Sequence, residues 1–359
     1  PSTKHQAPST KHQAPSTSHQ SPVTRHFCFS LMFSEFKRNL RFVMLMAGLL
    51  AIAILGVETF RRMGMTQPTG PVTAPSSASG ASAVFPRELK DGSGYSVRIE
   101  KKPLRIISQT LATDEILLAI CDPKRIVALS SLAEDPTYSN VAAEAKQVTG
   151  RTTQGVEQIL EMGPDLIFVA SYSRTEFVEL LKAARAPVFR FANFDRIEDI
   201  KTNIQTVGYA TGDEAAAAAL VDRMNRDIEA VKARIPQAKP PLKVMSYSLG
   251  GFTAGSGTLF DEMLRTVGVI NVTAEKGITG IAKISPEKLT EWQPDVIVVG
   301  ADAGTFDEAR RNLLADPAVA STKAGKANRI IVVDNRHYLA VSHHLVKALN
   351  TLVTELYGP

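Results

Sequence analysis

Residues 156–169 read VEQILEMGPDLIFV and residues 286–299 read PEKLTEWQPDVIVV, a constant offset of 130 positions. Six of the fourteen aligned positions are identical: Glu157/Glu287, Glu161/Glu291, Pro164/Pro294, Asp165/Asp295, Ile167/Ile297 and Val169/Val299. Composition alone gives about one. Each copy reads as a short helix, a Pro-Asp turn and an apolar run of buried-strand length. Helix-turn-strand grammar in any α/β protein accounts for the Pro-Asp and the aliphatics, but less well for the paired Glu. Each Glu pair stands at i,i+4 on one helix face, where like charges repel by a few tenths of a kcal/mol. The pairs can be read in two ways: as a solvated helix face, or as one acidic knob on each of two lobes that docks a basic partner.

Working outward, apolar runs alternate with helical patterns. Before and around the first copy, strands are expected over 105–108, 126–129, 166–170 and 188–191, with helices over 112–120, 156–162 and 176–185. This is the grammar of a parallel sheet covered by helices. Residues 197–235 carry no strand pattern and break only at Thr211-Gly212-Asp213. With Asp213 as N-cap, the second part predicts a helix of about 35 Å, long enough to join two lobes. A second α/β unit comes next, with strands over 242–247, 296–299 and 330–333 and helices over 259–267, 287–292 and 342–357. The expected fold is α/β: two three-layer lobes with mainly parallel sheets, 84–196 and 237–359, joined by helices over 197–236, one of them long and rigid.

The N-terminal part differs in kind. Residues 1–21 repeat PSTKHQA, PSTKHQA, PSTSHQS, and residues 1–36 read as a low-complexity tail that cannot bury a core. Lys37, Arg38 and Arg41 precede sixteen uncharged residues, 42–57. That basic flank and apolar run make 37–60 a signal peptide or membrane anchor, and 61–83 a Pro/Ser/Gly-rich linker. Either reading sends the remainder of the chain across a membrane, to a periplasmic or other extracytoplasmic location. Hydrophobic residues at 44% and charged residues at 21% describe a globular chain, and a net charge of +5 from 41 basic and 36 acidic residues gives no reason to expect nucleic acid. Cys28 and Cys121, the only cysteines, allow no zinc ribbon or CxxC redox motif.

Enzyme motifs fail on inspection. Ala254 stands where a GxSxG elbow over Gly255-Ser256-Gly257 needs glycine, and nothing matches GxxxxGK[ST], HExxH or GxGxxG. A membrane-anchored hydrolase assembled from distant Ser, His and Asp stays open as an alternative, as does a non-transport sensory module.

The order RIISQTLATDEILLAI, RIVALS, EAKQVTG, VEQILEMGPDLIFV, long helix, KVMSYSLGGFTAGSGTLFDEMLRTVGVIN, ISPEKLTEWQPDVIVV, RIIVVDNRHYLAVS resembles the substrate-binding proteins of ABC importers for ferric siderophores, haem and cobalamin. It spans residues 84–357. The resemblance implies a non-enzymatic protein with two lobes on a rigid helix, a small-molecule ligand between them, no resident cofactor or metal, and one surface Glu per lobe docking the permease. Glu157 and Glu287 match those positions, the pair the internal repeat picks out. By analogy the ligand meets polar loops after the strands: 108–110, 130–138, 171–174, 190–194, 246–253, 279–281 and residue 338. Large planar or chelated ligands call for aromatic faces and Arg, which makes Tyr138, Tyr172, Arg174, Arg190, Tyr247, Phe252 and Tyr338 the candidates. His337 or Tyr338 could serve as an axial haem ligand. His343 and His344, if helical, point about 100° apart and suit no shared metal.

Overall fold

A computed structural model describes residues 84–358, apart from 153, 154, 238 and 239. The tail, apolar segment and linker expected over 1–83 lie outside the described residues. Among the described residues no helix is long and apolar enough to cross a membrane.

The chain enters through an antiparallel hairpin, β1 (Arg87–Lys90) and β2 (Ser96–Ile99). The first lobe then runs β3 (Ile106–Ser108), α1 (Leu111–Ile120), β4 (Ile126–Ser130), β5 (Gly150–Thr152), α2 (Val156–Glu161), β6 (Leu166–Ala170), α3 (Thr175–Ala183) and β7 (Val188–Phe191). Its five strands are all parallel in the order β5-β4-β3-β6-β7. The central strands β3 and β6 are buried on both faces and alternate sides residue by residue. Ile106, Leu166 and Phe168 join the core beneath α1, whereas Ile107, Ile167 and Val169 pack against Ile159 of α2 and Val178 and Leu181 of α3.

Two helices come next, α4 (Ile197–Thr211) and α5 (Glu214–Lys232). Gly212 ends α4 at φ 72°, a left-handed conformation that costs glycine little. Asp213 stands at the N-cap of α5 as expected, but its side chain makes no cap bond. Its carboxylate instead takes Arg125 at 2.7 Å and Lys102 at 3.1 Å, tying the turn to the first lobe. The linking helix has 19 residues, or about 28 Å, shorter than the sequence suggested because Ala233–Ile235 leave the helix in a turn.

The second lobe comprises β8 (Lys243–Ser246), β9 (Phe252–Ala254), α6 (Leu259–Thr266), β10 (Ile270–Asn271), α7 (Val272–Glu275), β11 (Ile281–Lys283), α8 (Pro286–Trp292), β12 (Val296–Ala301), α9 (Phe306–Leu314), α10 (Pro317–Ser321), α11 (Lys323–Lys326), β13 (Ile330–Asp334), α12 (Asn335–Tyr338) and α13 (Leu345–Tyr357). Its main sheet is parallel in the order β10-β8-β12-β13, and β9 pairs antiparallel with β11 beside it. One continuous core runs from Ile106 and Phe168 of the first sheet, through Leu220, Met224 and Ile228 of α5, to Val244, Val298 and Val333 of the second and Leu349 of α13. The lobes therefore share a packed spine, and the fold is the expected pair of α/β lobes on a helix.

The repeated Pro-Asp has a structural explanation. Asp165 accepts the backbone N–H groups of Leu104 and Arg105 at 2.8 Å each, at the start of β3. Asp295 does the same for Lys243 at 3.0 Å, at the start of β8. Glu157, Glu161, Glu287 and Glu291 play no comparable part in the fold. All four are exposed, and no ion pair among the described residues engages them.

Candidate ligand cleft

Strand order locates the site. In the first sheet the chain winds outward from β3 to β5, then reverses to the other side of β3 with β6 and β7; in the second it reverses between β8 and β12. Open parallel sheets leave a crevice beyond the carboxyl ends of the strands at such switch points. Here those points are the end of β3, where Ser108 pairs with Phe168, and the end of β8, where Ser246 pairs with Val298. The two carboxyl edges face each other. Asn140, in the loop after β4, donates to the Arg336 carbonyl after β13 at 2.6 Å. Tyr138, in that same first-lobe loop, lies close enough to Asp302 after β12 that burial and then this carboxylate push its hydroxyl pKa up.

The first-lobe floor is a hydroxyl cluster closed by one acid. The Ser108 and Thr113 hydroxyls lie 2.5 Å apart, those of Thr110 and Thr113 2.9 Å apart, and the Thr152 hydroxyl donates to the Leu129 carbonyl at 3.1 Å. Asp114 is fully buried below them. It accepts the Ser130 N–H at 3.1 Å and hydrogen-bonds the Ser130 hydroxyl. Burial pushes its pKa up to about 7, despite the Ser108 and Ser130 hydrogen bonds that favour the anion. Above the floor stands Tyr172. The residue is 47% exposed, yet its hydroxyl is buried against Thr110 and pushed up to about 12, mainly by burial. Phe194 backs the ring with centroids 5.6 Å apart. The result is a fixed aromatic wall with a free surface.

The second-lobe wall is built around Ser246, whose hydroxyl accepts the Ala254 N–H at 2.8 Å and meets the buried hydroxyl of Tyr338. Burial holds that hydroxyl at about 12, and Phe260 packs edge-on against the ring at 5.8 Å. Gly300 makes this possible: a Cβ there falls 2.3 Å from Asn335 Oδ1 and 2.8 Å from the Tyr338 ring, so only glycine lets α12 settle this close. Asn335 in turn donates to Asp302 at 2.7 Å.

The other sequence candidates fall in different places. Arg190 donates to the Ser171 carbonyl at 2.9 Å and so braces the Tyr172 loop, while Arg174 is exposed at the N-cap of α3. Phe252 lies half-buried on β9, with the Lys283 ammonium 5.7 Å from its ring centre. Tyr247 is not brought to the cleft. It packs beside Met245 and Leu289 in the outer core, 3% exposed, near enough for the Asp316 carboxylate to raise its pKa after burial does. Strand alternation explains this: Ser246 lies on the face of Val244 and reaches the Tyr338 hydroxyl, whereas Tyr247 lies on the opposite face with Met245. His337 is half-buried and held neutral by burial. His343 and His344 precede α13 instead of lying within it, so their rings meet with centroids 4.0 Å apart, tilted by 36°, rather than diverging.

Sequence reasoning picked out Tyr172 and the loops that carry Leu132, Leu249 and Ile281, but not the exposed apolar rim these side chains form. Among the described residues nine large hydrophobic side chains are exposed, and five of them, Leu132, Tyr172, Leu249, Ile281 and Leu339, sit on the loops and the small β9–β11 sheet beyond the strand ends. It missed Asp114, Glu115, Asn140 and Ser342. The signal was present in LATDEILLAI, where two consecutive acids stand in a helix otherwise apolar all round.

Among known proteins, a cobalamin-binding protein of Halobacterium salinarum is 26% identical over 303 residues, 82% of this chain and 81% of that protein. An uncharacterised ABC transporter substrate-binding lipoprotein of Bacillus subtilis is 25% identical over 231 residues, 62% of this chain and 72% of that protein. The apo structure of the periplasmic haem-binding protein RhuT from Roseiflexus sp. RS-1 superposes with a TM-score of 0.60 at 27% identity, covering 70% of this chain and 97% of that one. The model of the family described as periplasmic binding protein matches residues 106–337, both sheets and the linking helix included. With its two parallel sheets facing across a cleft, the chain belongs to the periplasmic binding protein family, the ABC-importer class of extracytoplasmic substrate-binding proteins, and is a binding protein rather than an enzyme.

Proposed function

We propose that this protein captures a large, partly apolar metal complex, an iron chelate, haem or corrinoid, between its lobes and delivers it to the permease of an ABC importer. The observation that carries the reading is the apolar rim of Leu132, Tyr172, Leu249, Ile281 and Leu339 around a floor of hydroxyls. Exposed apolar side chains gathered on one face mark a binding surface, and an aromatic wall fixed at its hydroxyl suits a flat ligand. The cobalamin-binding and haem-binding relatives support this ligand class. In this reading Tyr172 and Tyr138 contact the ligand, Arg174 and Arg190 meet any anionic groups, and Phe252 and Tyr338 close the second-lobe side. His337, kept neutral, is the better axial haem ligand, because the Tyr338 hydroxyl is already engaged by Ser246.

Glu157 and Glu287 form the permease contacts in this proposal. Each lies in the first turn of a helix that runs back from the cleft-facing edge, and neither serves an ion pair in the fold. The Ser285 hydroxyl holds the Glu287 carboxyl below its ordinary pKa, keeping it charged. Residues 37–60 direct export or tether the protein, 84–196 and 237–359 are the lobes, and 197–236 is the linker between them.

Hydrogen-exchange mass spectrometry of the full chain with and without haemin, cobalamin and ferric siderophores tests the placement. The proposal expects protection in 130–138, 171–174, 246–253 and 335–339 with one of these ligands. Protection confined to other segments contradicts it.

A further inference from the structure

Glu115 follows Asp114 on α1 and is 1% exposed. Its carboxylate oxygens are shared between the lobes. Oε1 accepts the backbone N–H and the side-chain Nδ2 of Asn140, each at 3.0 Å, within the first lobe. Oε2 accepts the hydroxyl of Ser342, from the segment leading into α13 of the second lobe. Asn140 carries the connection further. Its Nδ2 also donates to the Arg336 carbonyl at 2.6 Å, and its Oδ1 accepts from Lys347 of α13 at 3.3 Å. Every polar atom of the Asn140 amide is thus spent on Glu115 or on the second lobe. Burial pushes the Glu115 pKa up, and the Ser342 and Asn140 hydrogen bonds together with the Lys347 charge oppose that shift. A carboxylate this deeply buried is tolerable only while those partners stay in place.

Two consequences of position matter. Asn140 lies two residues after Tyr138, in the loop that also carries Leu132; Arg336 and Ser342 bracket Tyr338 and Leu339. One carboxylate therefore ties down the segments that form both walls of the cleft.

We infer that Glu115, through Asn140 and Ser342, is a cross-lobe strap: a positioning residue that fixes the angle between the lobes and holds the cleft walls in register before any ligand arrives. The shared apolar spine resists separation of the lobes but has no directionality, whereas this hydrogen-bonded carboxylate specifies one relative placement. Its effect on the cleft rests on the reading of that cleft as the ligand site; its effect on the lobe angle does not.

The test is a distance measurement between spin labels on the ligand-free full chain. Labels at Glu179→Cys on α3 and Asp307→Cys on α9 report one distance across the lobes, with Cys28→Ser in the background and buried Cys121 left in place. Both labelled side chains are solvent-exposed. The parent should give one narrow distribution. Ser342→Ala and Asn140→Ala should each broaden and shift it, and the double variant, which removes the Glu115–Ser342 bond together with the direct Asn140 bonds to Arg336 and Lys347, should broaden it beyond either single variant. Glu115→Gln, which still accepts from the Asn140 N–H and can donate to Ser342, should stay near the parent. Melting curves on the same samples separate this from a structural role: lowered melting temperature with an unchanged distribution in Ser342→Ala and Asn140→Ala overturns the inference. A double variant no broader than Asn140→Ala overturns it as well, because the Glu115–Ser342 bond would then add nothing to the lobe angle. Because no ligand is present, failure here is distinct from failure of the ligand proposal.

Discussion

Replacing Asp114 by Asn should stabilise the protein above neutral pH and change little under acid conditions. In the fold the carboxyl titrates at about 7, against 3.8 for an ordinary aspartate. The folded state therefore keeps a proton that the unfolded chain releases. The contribution of the neutral acid is fully present below about pH 4, falls as pH rises, and is lost by about pH 7. At about 1.4 kcal/mol per pH unit, ionising the buried group costs on the order of 4 kcal/mol. Asparagine has nothing to ionise and nearly the same shape. Its amide oxygen can accept the Ser130 N–H, 3.1 Å away in the parent, and its NH2 can donate to the Ser108 or Ser130 hydroxyl, which are free to rotate. Urea unfolding of parent and Asp114→Asn at about pH 4.5, 6 and 7.5 reads the difference, in which the other titrating groups largely cancel. The gap should open steadily towards the highest pH, with the variant more stable there. A difference that stays flat with pH, or an asparagine variant less stable at about pH 7.5, refutes the account of the cleft floor.

Further expectations concern the cleft and its rim. Tyr172→Ala removes the exposed face of the Tyr172–Phe194 wall and should weaken ligand binding about tenfold, the scale of one aromatic contact; Tyr172→Phe, which keeps the ring, should lose much less, and equilibrium titration distinguishes them. Gly300→Ala forces its Cβ onto Asn335 Oδ1 and the Tyr338 ring, and denaturant unfolding should register a loss of about 1–3 kcal/mol from overpacking. Glu157→Ala combined with Glu287→Ala should reduce permease-dependent uptake in cells while leaving ligand affinity unchanged, because both side chains are exposed and neither forms an ion pair with the rest of the described residues; unchanged uptake contradicts the docking role.

The core strands were legible because buried parallel strands are continuous apolar runs. The expected ranges of β6 and β7 coincide with those observed. Elements held by tertiary contacts rather than pattern were not. The β1–β2 hairpin has four-residue strands, and β10 is two residues long, paired with β8 at Ile270 and Asn271. The three helices over 306–326 sit in a stretch where charged residues interrupt the apolar spacing. In the cleft, the loops followed from strand ends, but side-chain direction did not follow from residue type alone. Tyr247 looked like a ligand contact by chemistry, yet it shares a strand face with Met245 and packs outward. Asp114 and Glu115 read as ordinary helix charges. Only the fold brings Ser130 to one and Ser342, 227 positions away, to the other. The paired Glu of the internal repeat present the opposite case, a clear sequence feature whose side chains stay exposed and enter no ion pair among the described residues.

Binding itself offers the most direct test. The full-length protein, titrated by absorbance against haemin, cobalamin and a panel of ferric siderophores with native mass spectrometry for stoichiometry, should form a saturable complex with one of them and recover that ligand unchanged. Absence of saturable binding across the panel by folded protein, or chemical conversion of a bound compound, contradicts the claim that this chain is an extracytoplasmic carrier of a metal complex.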